Sequence, residues 1–317
     1  MSAYFLGLRN LLKSSNVAEY FFIMYRKKVL LQIMFNKQLY YHFSSIASTN
    51  TVAVNKAEQG AEHGTVIHAD RQTCGKGRGG RAFASPVGGL YFSLILRPEL
   101  DLADLPLITL AAGTCLCSTI REVASVPVMM KWPNDLYLYE RKLGGILTES
   151  GPLRLGSRGG AGQADFVVIG VGINMTTRPE QFSPALRQTC IALASASDLC
   201  PTSPVCTERE EMLPLLVNAL LTASQRLAED REALLAEWRT FDYLQGKQLC
   251  YLWHEKEIPA TGIGLAEDGQ YIILDCHGVE HRVTAGDLNP VTTSQQYVEI
   301  KRKTGQQKRG TYGAETI

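Results

Sequence analysis

Residues 131–149, Lys-Trp-Pro-Asn-Asp-Leu-Tyr-Leu-Tyr-Glu-Arg-Lys-Leu-Gly-Gly-Ile-Leu-Thr-Glu, set a lysine among leucines and glycines in a stretch that reads as strand, turn and strand. Val128–Trp132 and Lys142–Thr148 are the expected strands, flanking a polar turn around Glu140-Arg141, which brings Lys131, Asp135 and Lys142 into one sheet neighbourhood. A surface lysine is the usual fate of that residue, but Leu143, Gly144, Gly145, Ile146 and Leu147 make a wet position unnatural for Lys142, and a lysine so placed calls for an anion. Upstream, Gly75-Lys76-Gly77-Arg78-Gly79-Gly80-Arg81 interleaves bare backbone amides with three cations, as a loop does when it wraps a phosphate or carboxylate. A solvated turn or an RNA-contacting Arg/Gly stretch would read similarly. This loop, however, follows a strand-like run directly, occurs once, and lacks the stacking aromatics of a single-strand binder. Loop and lysine together read as an adenylate-forming site.

The rest of the chain supplies an α+β frame. Val52–Gln59 is an expected helix, capped by Ser48-Thr49-Asn50 and stopped by Gly60. Thr65–Ala69, Leu90–Leu96 and Phe166–Ile169 are expected strands, the last ending in Gly170-Val171-Gly172. Asp104 is expected to cap a long helix reaching Val123. Gly151–Gly162 reads as a mobile connection, and Cys200–Thr207 as a loop before two helices, Arg209–Glu229 and Arg231–Phe241. After Gly246 the pattern becomes Gln248–Trp253, Ile258–Leu265, Tyr271–Cys276 and Val279–Val283, short strands that predict a small β-barrel. From about Thr292 the chain is polar and basic, with no hydrophobic period, and reads as disordered. The boundaries that follow are an extension over 1–42, a main domain over 43–243, a small domain over 246–292 and a tail over 293–317.

Composition excludes more than it selects. The 317 residues, with 45% hydrophobic and 20% charged content, suit a globular protein with one substantial core and a smaller second one. A formal net charge of +1 gives no global field to attract nucleic acid or membrane. No apolar run approaches the ~20 residues of a bilayer span, so no membrane association is expected. The eight cysteines are scattered without a CxxC pair, and the six histidines form no HExxH array, so no dedicated metal site is expected. The first forty residues, rich in Leu, Phe, Tyr and basic residues, with Glu19 the only acid, have two readings. They are an organelle-targeting presequence, or residues upstream of a true start at Met34, the second or a plain extension being slightly favoured because a transit peptide should be richer in Ser and Arg. A cytoplasmic location is the expectation, with a mitochondrial one if the extension is a presequence.

Taken in order, Ser48-Thr49-Asn50, Gln72 before GKGRGGR, Ser85-Pro86, KWPND with RKLGG, and Gly170-Val171-Gly172-Ile173-Asn174-Met175 resemble biotin protein ligases across roughly residues 43–292. No one of these motifs is specific alone; five in sequence are. The resemblance implies a mixed-sheet catalytic domain followed by an SH3-like barrel. It also implies an ATP-dependent enzyme that forms biotinyl-5′-AMP with Mg2+ on the phosphates, then passes biotin to a lysine of a biotin-carrier domain of a carboxylase, acetyl-CoA carboxylase or similar. A homodimer is compatible with it.

By the same resemblance Ser48 and Thr49 hydrogen-bond the biotin head group, Gln72 lines that pocket, and Gly75, Lys76, Gly77 and Arg78 belong to the loop that closes over biotin and the adenylate. Family members commonly carry arginine where Lys76 stands. Lys142 would hold the biotin carboxylate and the α-phosphate, with Asn50, Asn134, Gly144 and Asn174 also in the ligand-binding set. Asp135 either caps the turn after Pro133-Asn134 or faces the incoming amine, and Lys131 either pairs with Asp135 or holds phosphates. Gly170-Val171-Gly172 lacks the third glycine of a dinucleotide fingerprint and reads instead as close backbone packing near a ligand. No helix-turn-helix pattern precedes Ser48, so no nucleic-acid role is expected. Two alternatives remain: a lipoate or octanoate ligase, whose motifs differ from GKGRGGR and KWPND, and a biotin-sensing protein without turnover, against which Lys142 and the full loop argue.

Overall fold

The structure is a computed structural model that describes residues 39–154, 162–196, 208–253 and 256–291. The extension up to residue 38 with Met34, the middle of the Gly151–Gly162 connection, the Cys200–Thr207 loop and the tail from 293 lie outside the described residues.

Two strands with unbroken apolar runs organise the main sheet. β3 (Gly89–Leu96) and β9 (Val167–Asn174) are buried at every residue and pair antiparallel along their whole length. Continuous burial is the pattern of a strand covered on both faces. Around them lie β1 (Tyr40–Phe43), β2 (Val66–Ala69), β4 (Met129–Lys131), β5 (Asp135–Leu138) and β6 (Arg141–Ser150), in the order β1-β2-β3-β9-β6-β5-β4. Only β1 and β2 are parallel, so the sheet is mixed as expected. A short pair, β7 (Leu153–Arg154) and β8 (Gln163–Ala164), follows β6.

Helix α1 (Thr49–Glu58) covers one face of the sheet, and its packing on β2, β3 and β9 is centred on Ala53, Ala57, Ile67 and Phe166. Helices α2 (Leu105–Ala124), α4 (Arg209–Glu229) and α5 (Arg231–Thr240) cover the other, after a short α3 (Pro184–Thr189). α2 alone among the described helices has the length and apolarity of a bilayer span, contrary to the sequence reading. It is the central core helix, with most of its residues from Leu107 to Ala124 buried against the sheet and α4. Asp104 stands at its N-cap position but caps no amide; its carboxylate accepts from Arg231 at 2.8 Å.

Three expectations are corrected. The expected main-domain boundary at residue 43 falls inside β1, which begins at Tyr40, whose hydroxyl reaches His68 Nδ1 at 2.8 Å. The span between the two expected hairpin strands holds β5, so the hairpin is a three-stranded meander. The Phe166–Ile169 strand does not end at the glycines but runs through them to Asn174. A four-residue edge strand and a strand containing glycines each carry too little apolar signal to be read from pattern alone.

The carboxy-terminal sheet is antiparallel and has five strands, in the order β13-β12-β11-β10-β14. These are β10 (Gln248–Trp253), β11 (Lys256–Leu265), β12 (Tyr271–Asp275), β13 (Glu280–Val283) and β14 (Leu288–Pro290). Its apolar face joins the core of the main sheet without a break, with Tyr271 packed on Trp132 and Trp238 at ring separations of 5.9 and 6.5 Å. At this junction Asp242, 6% exposed, accepts from the Tyr271 hydroxyl at 2.8 Å and from the Leu244 amide at 2.9 Å.

Burial pushes the Asp242 carboxyl up to about 6. The folded state therefore holds this proton more tightly than the unfolded chain. The stabilisation is fully present below the ordinary carboxylate pKa near 4 and is lost as pH rises through about 6. A shift of roughly two units corresponds to about 2–3 kcal/mol. We expect Asp242→Asn, which keeps an acceptor for Tyr271, to remove that slope. Urea unfolding at pH 4 and pH 7.5 checks it: the wild-type stability should fall by about 2–3 kcal/mol more than the variant's.

Candidate active site

Glycine-rich loop, helix start and sheet face converge on one cleft of about 150 Å³. Ser48, Thr49, Asn50 and Gln72 line one end; Lys76, Gly77, Arg78, Arg81 and Phe83 cover it; Asn134, Asp135, Lys142 and Gly145 line the other end, with Gly170 and Gly172 beneath.

The helix-start end is a connected polar set. Ser48 is the N-cap of α1 and its hydroxyl accepts from the Thr51 amide. Gln72 Oε1 accepts from the Thr49 amide at 2.8 Å and lies 3.1 Å from its hydroxyl, while Gln72 Nε2 donates to Ser85 Oγ at 2.8 Å. The Ser48-Thr49-Asn50 run thus both starts the helix and lines the cleft. The glycines of β9 have definite neighbours. A side chain at Gly170 would overlap the Asn50 amide, and one at Gly172 would overlap the Phe83 ring. The Gly-Val-Gly run is therefore the clearance for two residues of the cleft, in keeping with the packing reading.

At the other end a β-bulge decides the chemistry. β5 and β6 pair as Asp135↔Gly145 and Leu136↔Gly144, then as Tyr137↔Lys142, which leaves Leu143 as the extra residue. Without the bulge Lys142 and Gly145, three apart, would face opposite sides of the sheet; the bulge puts Lys142 on the side of Asp135. Lys142 Nζ then meets Asp135 Oδ1 at 2.6 Å, and lies 5.8 Å from the centre of the Phe83 ring. Both side chains are partly open to solvent, so the ammonium is held by one carboxylate yet remains accessible to an arriving anion.

The loop is tied at two points. Gly79 and Gly80 have φ of 61° and 74°, which lets it turn back on itself. Arg78 donates to Asn134 Oδ1 at 3.3 Å, and Asn134 Nδ2 donates to the Ile146 carbonyl at 2.7 Å. Burial lowers the Arg78 pKa, and the Asp287 and Asp135 carboxylates oppose that shift. Arg81 makes a two-pronged contact with Asp287, next to β14, at 2.7 and 3.2 Å. Arg78 and Asn134 also line an adjoining cavity of about 200 Å³ bounded by α2, Trp132, Gly269 and Thr284.

Four expected site residues do not line the cleft. Gly75 lies beneath the loop, where a Cβ would meet the Phe83 carbonyl and Ser85 Oγ. Gly144 is packed on the Gly172 carbonyl. Lys131 is 8% exposed and donates to Asn289 Oδ1 at 2.9 Å; it is opposite Asp135 in register, but its ammonium turns to the carboxy-terminal sheet, where burial lowers its pKa. The Lys131–Asp135 ion pair is thus replaced by Lys142–Asp135. Asn174 is buried, donates to the Ile191 carbonyl at 3.2 Å, and leaves its Oδ1 without a partner. Residues not singled out from sequence include Phe83, Ser93, Glu149, Gly145 and Asp287. Phe83 follows the loop motif by two residues and could have been found by extending it; Asp287, 206 residues from Arg81, has no local signal.

Cations on a glycine-rich loop and a polar helix start around one cleft on a mixed sheet define a small-molecule-binding α+β domain suited to an anionic ligand. Residues 42–174 match the model of the Biotin/lipoate A/B protein ligase family. The Bifunctional ligase/repressor BirA of Bacillus subtilis is 35% identical over 162 residues, 51% of this chain and 47% of that protein, so the chain spans about half the length of that relative. The Biotin--[acetyl-CoA-carboxylase] ligase of Mycobacterium tuberculosis is 29% identical over 255 residues, 76% of this chain and 85% of that protein. Among solved structures, the biotin protein ligase from Aquifex aeolicus in complex with biotin and ATP superposes with a TM-score of 0.62 at 26% identity, covering 80% of this chain and 99% of that one.

Proposed function

We propose that the protein is an ATP-dependent biotin protein ligase. The observation that carries the reading is the Lys142–Asp135 pair at 2.6 Å under a glycine-rich cationic loop, with a hydrogen-bonding head-group end in the same cleft. The biotin carboxylate attacks the α-phosphorus of ATP, the bond to the pyrophosphate oxygen breaks, and biotinyl-5′-AMP forms. Two anions must approach each other, and the Lys142 ammonium offsets their repulsion where charge develops. The amine of an acceptor lysine then attacks the acyl carbon, AMP leaves, and Asp135, freed from Lys142 by the ligand's charge, is placed to take the amine proton.

Among the described residues no group of three or more His, Cys, Asp or Glu could hold a metal, so those residues offer no cage for Mg2+. On this reading magnesium comes with the ATP phosphates. The acceptor is a biotin-carrier domain of a carboxylase; the protein works in the cytoplasm and without nucleic acid. Residues 43–243, extended back to β1, carry catalysis, and 246–292 brace the loop through Asp287 and hold Lys131 through Asn289.

The test is pyrophosphate exchange into ATP. It should depend on biotin, and the purified protein should label a carrier domain at its acceptor lysine. Exchange that depends on lipoate or octanoate instead would replace the reading with the lipoyl alternative; biotin binding without exchange would replace it with the sensing one.

A further inference from the structure

The protons beneath the cleft can be counted. Asn50 Nδ2 donates to Glu149 Oε2 at 2.8 Å and to the Leu147 carbonyl at 3.3 Å. Both partners only accept, so both amide protons are committed and Asn50 Oδ1 turns towards Ser93. Ser93, fully buried on β3, lies 2.6 Å from Asn50 Oδ1 and 2.9 Å from Thr49 Oγ1. Its single proton must go to Asn50, whose oxygen cannot donate. Thr49 then donates to Ser93. The other assignment, in which the Thr49 hydroxyl donates to Gln72 Oε1, adds a second donor to an oxygen that already takes the Thr49 amide. It also leaves the 2.9 Å Ser93–Thr49 contact without a proton, two sets of lone pairs facing each other, or, if Ser93 donates there instead, leaves buried Asn50 Oδ1 with no donor; either is the costlier arrangement.

Thr49 therefore presents only lone pairs to the cleft. Gln72, with one Nε2 proton on Ser85, keeps the other as a donor. We infer that Ser93 and Glu149, neither of which lines the cleft, are positioning residues. Through Asn50 they fix Thr49 as an acceptor and thereby select a ligand head with an N–H next to a carbonyl, as in a cyclic urea. This rests on the biotin reading above.

The experiment is steady-state pyrophosphate exchange with biotin and ATP varied separately, on wild type, Ser93→Ala, Ser93→Cys and Glu149→Gln. Ser93→Ala should raise KM for biotin about tenfold, roughly the loss of one hydrogen bond with its partner stranded, while kcat and KM for ATP stay within about twofold. Ser93→Cys, of similar size with a weak donor, should recover part of the loss. Glu149→Gln keeps the volume but lets the side chain donate, so Asn50 is no longer held one way. It should raise the biotin KM about threefold or more at unchanged kcat, an effect a packing role would not give, and it decides the matter if Ser93→Ala does not fold. Biotin KM within twofold of wild type in the folded variants, or equal rises for biotin and ATP, overturns the relay. Absence of biotin-dependent exchange in the wild type overturns the functional reading and the relay together, and is seen before any variant is compared.

Discussion

Lys142→Ala should abolish adenylate formation in a protein that still folds. The side chain is partly exposed, lines the cleft and does not belong to the hydrophobic core, so its loss leaves the framework of β3, β9 and α2 in place. The reaction, by contrast, loses the cation paired with Asp135 at the point where a carboxylate must approach a phosphate. Removing a charge-assisted contact of about 1.5–3 kcal/mol predicts at least a tenfold to hundredfold fall in rate. Asp135 adds to this, because in the variant it is left as an unpaired carboxylate beside two arriving anions. Near-normal biotin-dependent exchange in Lys142→Ala, with an unchanged melting temperature, would falsify the assignment. Lys142→Arg is a sharper control: a planar, bulkier cation retains charge but not the point contact at 2.6 Å, and should restore only part of the activity.

How far the sequence could reach is clear from the same residues. Lys142 was legible because a lysine between strands of leucine and glycine contradicts its own solubility, and the glycine-rich loop because amides and cations alternate in it. The long helices and buried strands were legible from apolar period, and their positions agree within a few residues. What local pattern does not carry is register. Leu143 as a bulge, which turns Lys142 towards Asp135 and leaves Lys131 to Asn289, depends on the pairing of β5 with β6, and β5 itself lies between polar residues. The second tie of the loop depends on Asp287 arriving from the far end of the chain. Likewise Gly170 and Gly172 announced a close approach, but only the fold identifies what approaches as Asn50 and Phe83.

Arg78→Gly should yield an enzyme that activates biotin and fails to keep the product. Lys142, Asp135 and the Ser48–Gln72 end lie on the helix and sheet, so the variant retains the groups that bind biotin and stabilise the first step. The loop itself is held by few contacts. Arg78 to Asn134 at 3.3 Å anchors its inner side, and Arg81 to Asp287 anchors its outer side between two half-exposed groups, a kind of pair worth little on its own. With glycine at 78 the inner tie is gone and a further flexible residue joins Gly77, Gly79 and Gly80, raising the entropy that closure must overcome. The adenylate is a mixed anhydride that water and free amines both attack, so an open loop lets it escape or react outside the cleft. The expected readings are biotin-dependent ATP consumption without carrier domain, free biotinyl-5′-AMP in the filtrate, and biotin on bystander lysines at least about tenfold above wild type. Arg81→Ala should show the same signs more weakly, because it removes the solvent-screened tie. If Arg78→Gly retains the intermediate as long as the wild type does, closure depends on the backbone of the loop, and Arg78 belongs to the nucleotide alone.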